Sequence, residues 1–461
     1  MTAAERPSSI RPDEVADFRA GNPDIAVVDA LIADHNGVLR GKKVPIGSLA
    51  SLYASGMGLP GSLFATDISG ATVEATGLGF AVGDADHLCL PVPARLHRVP
   101  WRSRPTAQVL MAMRGQDGAA FFADPRGLVE RVTARLQADG LNPVVALELE
   151  FYLLDRERLP DGTPQPPTGA ATGKRHHTNQ VYGVDELDDF DDLLAEIQAH
   201  CKGMAIPVDS AISEYAPGQY EINMHHRADP VAACDDAILF KRVVRKVAEQ
   251  HGLQATFMAK PFGDLAGSGL HLHLSMEDGA GTNVFAADDP AGSPMLRHAI
   301  AGLSATMDEG LALFLQNQNS YRRLRPNAYV PHAPSWAVNN RSCALRVPSG
   351  PPGSRRVEHR LAGADANPYI VMAAVLAGVH HGIRHRLDPG PPITGNAYQQ
   401  LTPTLMASWA MALDRLDRSD FFAEAFGRAY LDVFLALKRG EREKFMAHVT
   451  PLEYQWYLDK V

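Results

Sequence analysis

Four short segments of this chain carry carboxylates or histidines at spacings that would hold metal ions. Glu148 and Glu150 lie in Ala146-Leu147-Glu148-Leu149-Glu150-Phe151-Tyr152, and Glu214 precedes Gly218-Gln219-Tyr220-Glu221. His271 and His273 lie in Gly269-Leu270-His271-Leu272-His273-Leu274, and Glu358 in Arg356-Val357-Glu358-His359-Arg360. Residues i and i+2 of a strand share a face, so Glu148 and Glu150 point one way while Leu147, Leu149 and Phe151 point into a core. The same alternation sets His271, His273 and Ser275 opposite Leu270, Leu272 and Leu274. Hard oxygen ligands with an imidazole suit Mg²⁺ or Mn²⁺ better than a thiolate metal.

Each element of this pattern has an ordinary reading. A Glu-x-Glu pair is usually a solvated face, and a histidine on an apolar strand is usually a satisfied core residue. The run from Val144 to Leu154 is otherwise almost wholly apolar, however, and carboxylates placed there need cations or hydrogen bonds against desolvation. Eight arginines crowd the 39 positions from 322 to 360 (Arg322, Arg323, Arg325, Arg341, Arg346, Arg355, Arg356 and Arg360), several among aliphatic residues. Guanidinium forks match carboxylates and phosphates, and phosphoryl transfer needs metals and cationic side chains together. The combination implies a metal-dependent enzyme that handles phosphate. The Gly267-Ser268-Gly269 turn lets backbone approach a ligand closely, although its spacing matches neither common phosphate loop.

The elements that must hold these residues can be read in outline. Residues 25–32 and 38–45 form a hairpin about Asn36-Gly37, a strong tight-turn pair. Residues 1–121 read as a small α+β domain and 122–461 as a second, larger one. Asp124 caps a helix that starts at Pro125, carries the apolar stripe Leu128, Val132 and Leu136, and ends near Gly140. The Pro/Gly/Thr-rich residues 156–180 read as a surface loop. Helical patterns fill 187–202, 230–251, 287–315, 367–385 and 403–437, and the remaining strands fall among them, which describes a sheet backed by helices.

Composition narrows the function classes. The chain has 461 residues, 45% hydrophobic and 21% charged, with a formal charge of −9. That acidity argues against nucleic-acid or anionic-membrane partners, and the arginine cluster within it points to a small anionic ligand. Cys89, Cys201, Cys234 and Cys343 form no CxxC pair and read as reduced thiols. The N-terminal stretch has no apolar leader and no run of about 18 apolar residues occurs, so a cytoplasmic location is expected.

These segments, in this order, resemble the glutamine synthetase family. The likeness extends through Lys260-Pro261-Phe262-Gly263-Asp264, Asn319-Ser320-Tyr321, Asn340-Arg341-Ser342, Leu345-Arg346-Val347-Pro348 and Asp365-Ala366-Asn367-Pro368-Tyr369, and covers nearly the whole chain. The resemblance implies an α+β glutamine synthetase fold: a small β-grasp-like N-terminal domain and a large catalytic domain with an antiparallel sheet backed by helices. It implies a double-ring homo-oligomer, a dodecamer, with sites completed between subunits. One metal ion would sit on Glu150, Glu214 and Glu221, and another on Glu148, His271 and Glu358. His273, Ser275, Arg346 and Arg356 would bind ATP, and Arg323 the carboxylate of glutamate. Arg341 and Arg360 would act on the transferring phosphoryl group. The implied reaction makes γ-glutamyl phosphate from glutamate and ATP, after which an amine displaces phosphate.

One loop departs from the family pattern. Ammonia-using members carry an acidic residue in a Pro-Gly-Tyr-Glu-Ala-Pro-like stretch, and here Arg325-Pro326-Asn327-Ala328-Tyr329-Val330-Pro331 puts Tyr329 in its place. A tyrosine is uncharged near neutral pH, whereas its ring can pack on a carbon chain or under a cation. A second ammonium-site residue is retained as Asp67, in a loop whose neighbours differ. Leu265-Ala266 replaces a single asparagine, and Tyr398 reads as structural. In its altered loop the chain is similar to the γ-glutamylputrescine synthetase branch, which implies a polyamine as nucleophile. The alternatives are ammonia-dependent glutamine synthesis, another amine such as ethanolamine, a monoamine or an aromatic amine, and a catalytically dead binding protein.

Overall fold

The computed structural model of the chain describes residues 13–405 and 408–461, so most of the N-terminal stretch lies outside the described residues. The first sheet contains β1 (Val27–Ala33), β2 (Leu39–Pro45), β3 (Met57–Pro60), β4 (Asp86–Val99) and β5 (Thr106–Arg114), in the order β2-β1-β5-β4-β3. The hairpin expected around Asn36-Gly37 forms between β1 and β2. Gly37 takes the left-handed conformation (φ +68°), and the Asp34 carboxylate accepts from the backbone N of Asn36 (2.8 Å) and Val38 (2.9 Å). β1 also pairs in parallel with β5. Both faces of these two central strands are covered. Val28, Ala30, Ile32, Val109 and Met111 build a local core, while Leu31, Ala33, Leu110 and Ala112 join the main one.

The second sheet holds β6 (Asn142–Asp155), β7 (Val208–Ser213), β8 (Gln219–Met224), β10 (Leu270–Glu277), β11 (Trp336–Val338), β12 (Leu345–Val347) and β13 (Val357–His359) in the order β11-β12-β13-β10-β6-β8-β7. β9 (Leu253–Thr256) pairs with the far end of β6. All its pairings are antiparallel except β11 with β12. One face of its central strands packs on helices, with Leu149, Phe151, Leu270, Leu272 and Leu274 fully buried.

The helices behind that face begin with one repeated device, a capping side chain followed by proline at the first helical position. Asp124, Asp229, Ser293 and Asn367 each accept from a backbone N–H of the first turn, ahead of Pro125–Ala138, Pro230–Gln250, Pro294–Thr306 and Pro368–His385. The pattern read across 287–315 therefore starts later, at Pro294, and breaks after Thr306 before the short helix Leu311–Phe314. The region 403–437 resolves into Trp409–Asp417, Asp420–Phe426 and Arg428–Met446, because Ser419 and Gly427 interrupt it. No helix among the described residues is long and apolar enough to cross a membrane.

Candidate active site

Strand pairing turns the spacings into a cluster. His271 on β10 lies opposite Glu148 on β6, and Glu150 lies opposite Glu221 on β8. On the other side of β10, His273 lies opposite Glu358 on β13, which in turn lies opposite Arg346 on β12. The period of two that buries the leucines therefore delivers the polar residues of five strands to the opposite face.

Two trios of ligand atoms converge within 4.8 Å: Glu148, His271 and Glu358, and Glu150, Glu221 and His271. The first is the trio the family resemblance implies. In the second, His271 stands where Glu214 is expected. Glu214 lies one residue beyond the end of β7, and its carboxylate accepts from the Tyr215 backbone N (3.2 Å). Its charge is still felt by Glu221.

The electrostatics are lopsided. Burial pushes the Glu214 carboxyl up to about 7, with Glu150 adding to the effect. Burial together with Glu148, Glu150, Glu214 and Glu358 pushes Glu221 well above its ordinary range. For Glu358, burial acts upward but Arg360, His273 and His271 outweigh it and hold the group at about 2. Glu148 is likewise held low against burial by its neighbours His271 and His273. Five carboxylates share this face, and both arginines that pair with them, Arg346 (2.8 Å) and Arg360, pair with Glu358. A site with surplus buried carboxylate and one shared imidazole fits hard divalent cations.

The remaining expected residues are distributed unevenly. His273 Nε2 lies 2.8 Å from Glu148 Oε1 without hydrogen-bond alignment, and Arg356 Nε donates to His273 Nδ1 (3.1 Å). Ser275 continues the same face of β10, half-buried. Arg323 is buried, with Nη1 donating to the Leu361 carbonyl (2.9 Å). Arg346 also donates through Nη2 to Asn339 Oδ1 (2.9 Å). Arg341 is exposed on a cleft of about 780 Å³ that Tyr329 and Tyr398 also line.

Asp67 is engaged elsewhere. Its Oδ1 accepts from Ser69 N, Ser69 Oγ and Ala71 N, and its Oδ2 from Lys444 Nζ on the helix Arg428–Met446.

Two features of the site go beyond the sequence reading. Gln219, buried two residues before Glu221, donates to Glu150 Oε2 (3.0 Å) and to the Gly267 carbonyl (3.1 Å). Its place within the Gly218–Glu221 motif was the available signal. Gly269 donates its N–H to the same Glu150 oxygen (2.9 Å). A Cβ there would stand 2.8 Å from His271 Nε2 and 3.2 Å from Arg323 Nη2, so only glycine fits the close approach.

A strand-borne carboxylate and histidine cluster flanked by arginines defines a phosphate-handling enzyme that depends on divalent metal. The family model for the glutamine synthetase catalytic domain matches residues 122–457, and the chain belongs to that family. It is 42% identical over 456 residues to the γ-glutamylputrescine synthetase PuuA of Escherichia coli (strain K12), covering 98% of this chain and 96% of that protein. It is 31% identical to a glutamate–isopropylamine ligase of a Pseudomonas species, covering 92% of this chain and 93% of that one. Among solved structures it resembles ligand-free GmaS, with a TM-score of 0.83, 29% identity, and coverage of 97% of this chain and 100% of that one. Enzymes of this family use ATP and divalent metal ions.

Proposed function

We propose that this protein joins the γ-carboxylate of glutamate to a primary amine, putrescine or another polyamine, at the expense of ATP. The carrying observation is Tyr329 in the loop where ammonia-using members place a carboxylate, in a chain that keeps all six expected metal ligands, Glu148, Glu150, Glu214, Glu221, His271 and Glu358. Tyr329 adopts φ +52° and Asn327 φ +59°. Left-handed backbone is unfavourable for a tyrosine and tends to persist at sites where its geometry is used. Likeness to PuuA supports a diamine, and likeness to the isopropylamine ligase supports an amine larger than ammonia.

In this reading Glu148, His271 and Glu358 hold one divalent ion, and Glu150 and Glu221, with Glu214, hold another. Such ions neutralise phosphate charge and polarise the oxygens they touch. Arg323 receives the carboxylate of glutamate, aligning its γ-carboxylate for attack on the γ-phosphorus of ATP with departure of ADP. Arg346, Arg356, His273 and Ser275 hold the nucleotide, and Arg341 and Arg360 stabilise the transferring phosphoryl group. The amine nitrogen then attacks the acyl phosphate carbon, phosphate leaves, and one proton must be removed from nitrogen. The family resemblance gives that proton to Asp67 of a neighbouring copy, which would first have to leave its contact with Lys444. Double-ring assembly is part of the reading, and the solvent-facing apolar tail residues Leu452, Tyr454, Trp456 and Leu458 support self-association.

Phosphate release with glutamate, ATP and Mg²⁺, and with putrescine, spermidine, ethanolamine, isopropylamine, aniline or ammonium as the sole amine, tests the proposal. A diamine should give the highest kcat/KM. Ammonium as the best substrate overturns it, and no turnover with any amine despite ATP binding makes the chain a binding protein.

A further inference from the structure

Arg323 is carried on the short 3-10 turn Ser320–Arg323, outside the sheet that holds the metal ligands. A buried arginine on so short an element needs something rigid beneath it. Asp365 provides that support: its Oδ2 accepts from Asn317 Nδ2 (2.5 Å) and from Ser320 Oγ (2.6 Å), fastening both the entry to the turn and its first residue. Asn317 Oδ1 in turn accepts from the backbone N of Asn319 (2.9 Å) and Ser320 (3.3 Å).

Asp365 is itself held in place. The buried ammonium of Lys241 donates to the carbonyls on either side of it, Ala364 (2.6 Å) and Ala366 (3.0 Å). The same segment runs beside the site's glycine turn, with Leu270 N donating to Ala362 O and Ala364 N to Ser268 O, each at 3.0 Å. Arg323 closes the circuit by donating to Leu361, four residues before Asp365. One short segment, 361–366, thus sets the backbone of the Arg323 turn and of Gly269 at once. The guanidinium ends beside Gly269, within reach of Glu150: a Cβ built on Gly269 would lie 3.2 Å from Arg323 Nη2 and 3.3 Å from Glu150 Oε1.

We infer that Asp365 is a positioning residue for the glutamate subsite, fixing the Ser320–Arg323 turn so that the Arg323 guanidinium meets the substrate carboxylate. The inference rests on the reading of Arg323 given under Proposed function. Charge-assisted hydrogen bonds of this kind are strong and directional, and loss of one allows displacement of the group they orient.

Steady-state kinetics of the full-length, Mg²⁺-loaded enzyme separate the two claims. Arg323→Ala should raise the KM for glutamate; if it does not, the assignment of Arg323 is wrong. Asp365→Asn should raise the glutamate KM by about tenfold while the KM for ATP stays within about twofold, and the double variant should match Arg323→Ala alone. A glutamate KM unchanged in folded Asp365→Asn, when Arg323→Ala raises it, overturns the inference. So does an equal rise in both KM values, which marks a general structural defect. Ser320→Ala removes one of the two contacts without touching the carboxylate and should raise the glutamate KM by about threefold. It decides the matter should Asp365→Asn fail to fold.

Discussion

Asp235 and Asp236 on the helix Pro230–Gln250 are as buried as Glu358 and Glu221 on the sheet, yet their surroundings are opposite. Asp235 meets Arg95 (3.3 Å), Arg126 (3.0 Å) and the Tyr369 hydroxyl (2.6 Å), while Asp236 meets Arg95 (2.8 Å) and Arg227. Three arginines thus surround two carboxylates, and the group joins β4 of the first sheet to the helices behind the second. On the sheet, four glutamates share two arginines, both spent on Glu358, and Glu221 meets chiefly other carboxylates, Glu214 at the end of β7 among them. Buried charge that is fully paired acts as structure. Buried charge left in surplus needs a ligand.

The sharpest way to break this comparison is a pair of substitutions. Asp235→Ala takes one of two carboxylate partners from Arg95, which keeps Asp236, and from Arg126, which keeps Glu130, and should cost about 3 kcal/mol of stability, while the fraction that remains folded turns over normally. Glu221→Gln should do the reverse. Turnover should fall by roughly a thousandfold or more as a metal ligand is lost, with the Tm of the metal-free protein little changed, because a glutamine resembles the protonated carboxyl that burial and the neighbouring carboxylates favour there. Denaturant unfolding in EDTA and phosphate-release kinetics read the two effects. Equal destabilisation by both substitutions would mean that the sheet cluster is structural too.

A gentler perturbation is pH. In the metal-free protein Glu214 is pushed up to about 7 and Glu221 is pushed well above its ordinary range, both from 4.5. The folded protein then holds protons that the unfolded chain releases. These groups contribute stability that is present below about 4.5 and lost as pH rises through about 7. Bound divalent ions favour the ionised carboxylates and remove that loss. The Tm gap between Mg²⁺-loaded and EDTA-treated protein should therefore widen by several degrees from about pH 5 to about pH 8. A gap that stays constant across that window would count against a metal on Glu214 and Glu221.

The same contrast explains what could be read from the sequence. Periodicity placed Glu148 and Glu150 on one face and Leu147 and Leu149 on the other, because alternation is a local property of strands. The helix start at Asp124-Pro125 was legible for the same reason. Register was not: that His271 sits opposite Glu148, or Glu150 opposite Glu221, depends on pairing segments more than 70 residues apart. Arg95 with Asp235 and Asp236, and Asp67 with Lys444, are equally long-range, and nothing local in either segment marks them. Gln219 and Asp365 stood inside recognised motifs, but a side chain that acts through its neighbours shows its role only once those neighbours are placed. The metal trios mixed both kinds of information: motifs supplied the residues, and only geometry showed His271 shared between the two groups.

The smallest expected effect concerns the rim of the cluster rather than its charge. Tyr329 is 64% exposed, in the loop that lines the cleft with Arg341 and Tyr398. A phenol there offers no carboxylate anchor to a bare ammonium ion. Tyr329→Glu would put a carboxylate in that cleft. The kcat/KM for ammonium relative to putrescine should rise by about tenfold, the size of one partly exposed charge–charge contact, with the KM for ATP unchanged. Stability should move little, since the side chain faces solvent and the strained backbone at φ +52° is common to both residues. If the ratio stays fixed while putrescine turnover persists, the loop does not choose the amine. The choice would then fall to the opposite wall of the cleft, where Tyr398 donates its hydroxyl to the Val330 carbonyl (2.9 Å) and so ties that wall to the loop itself.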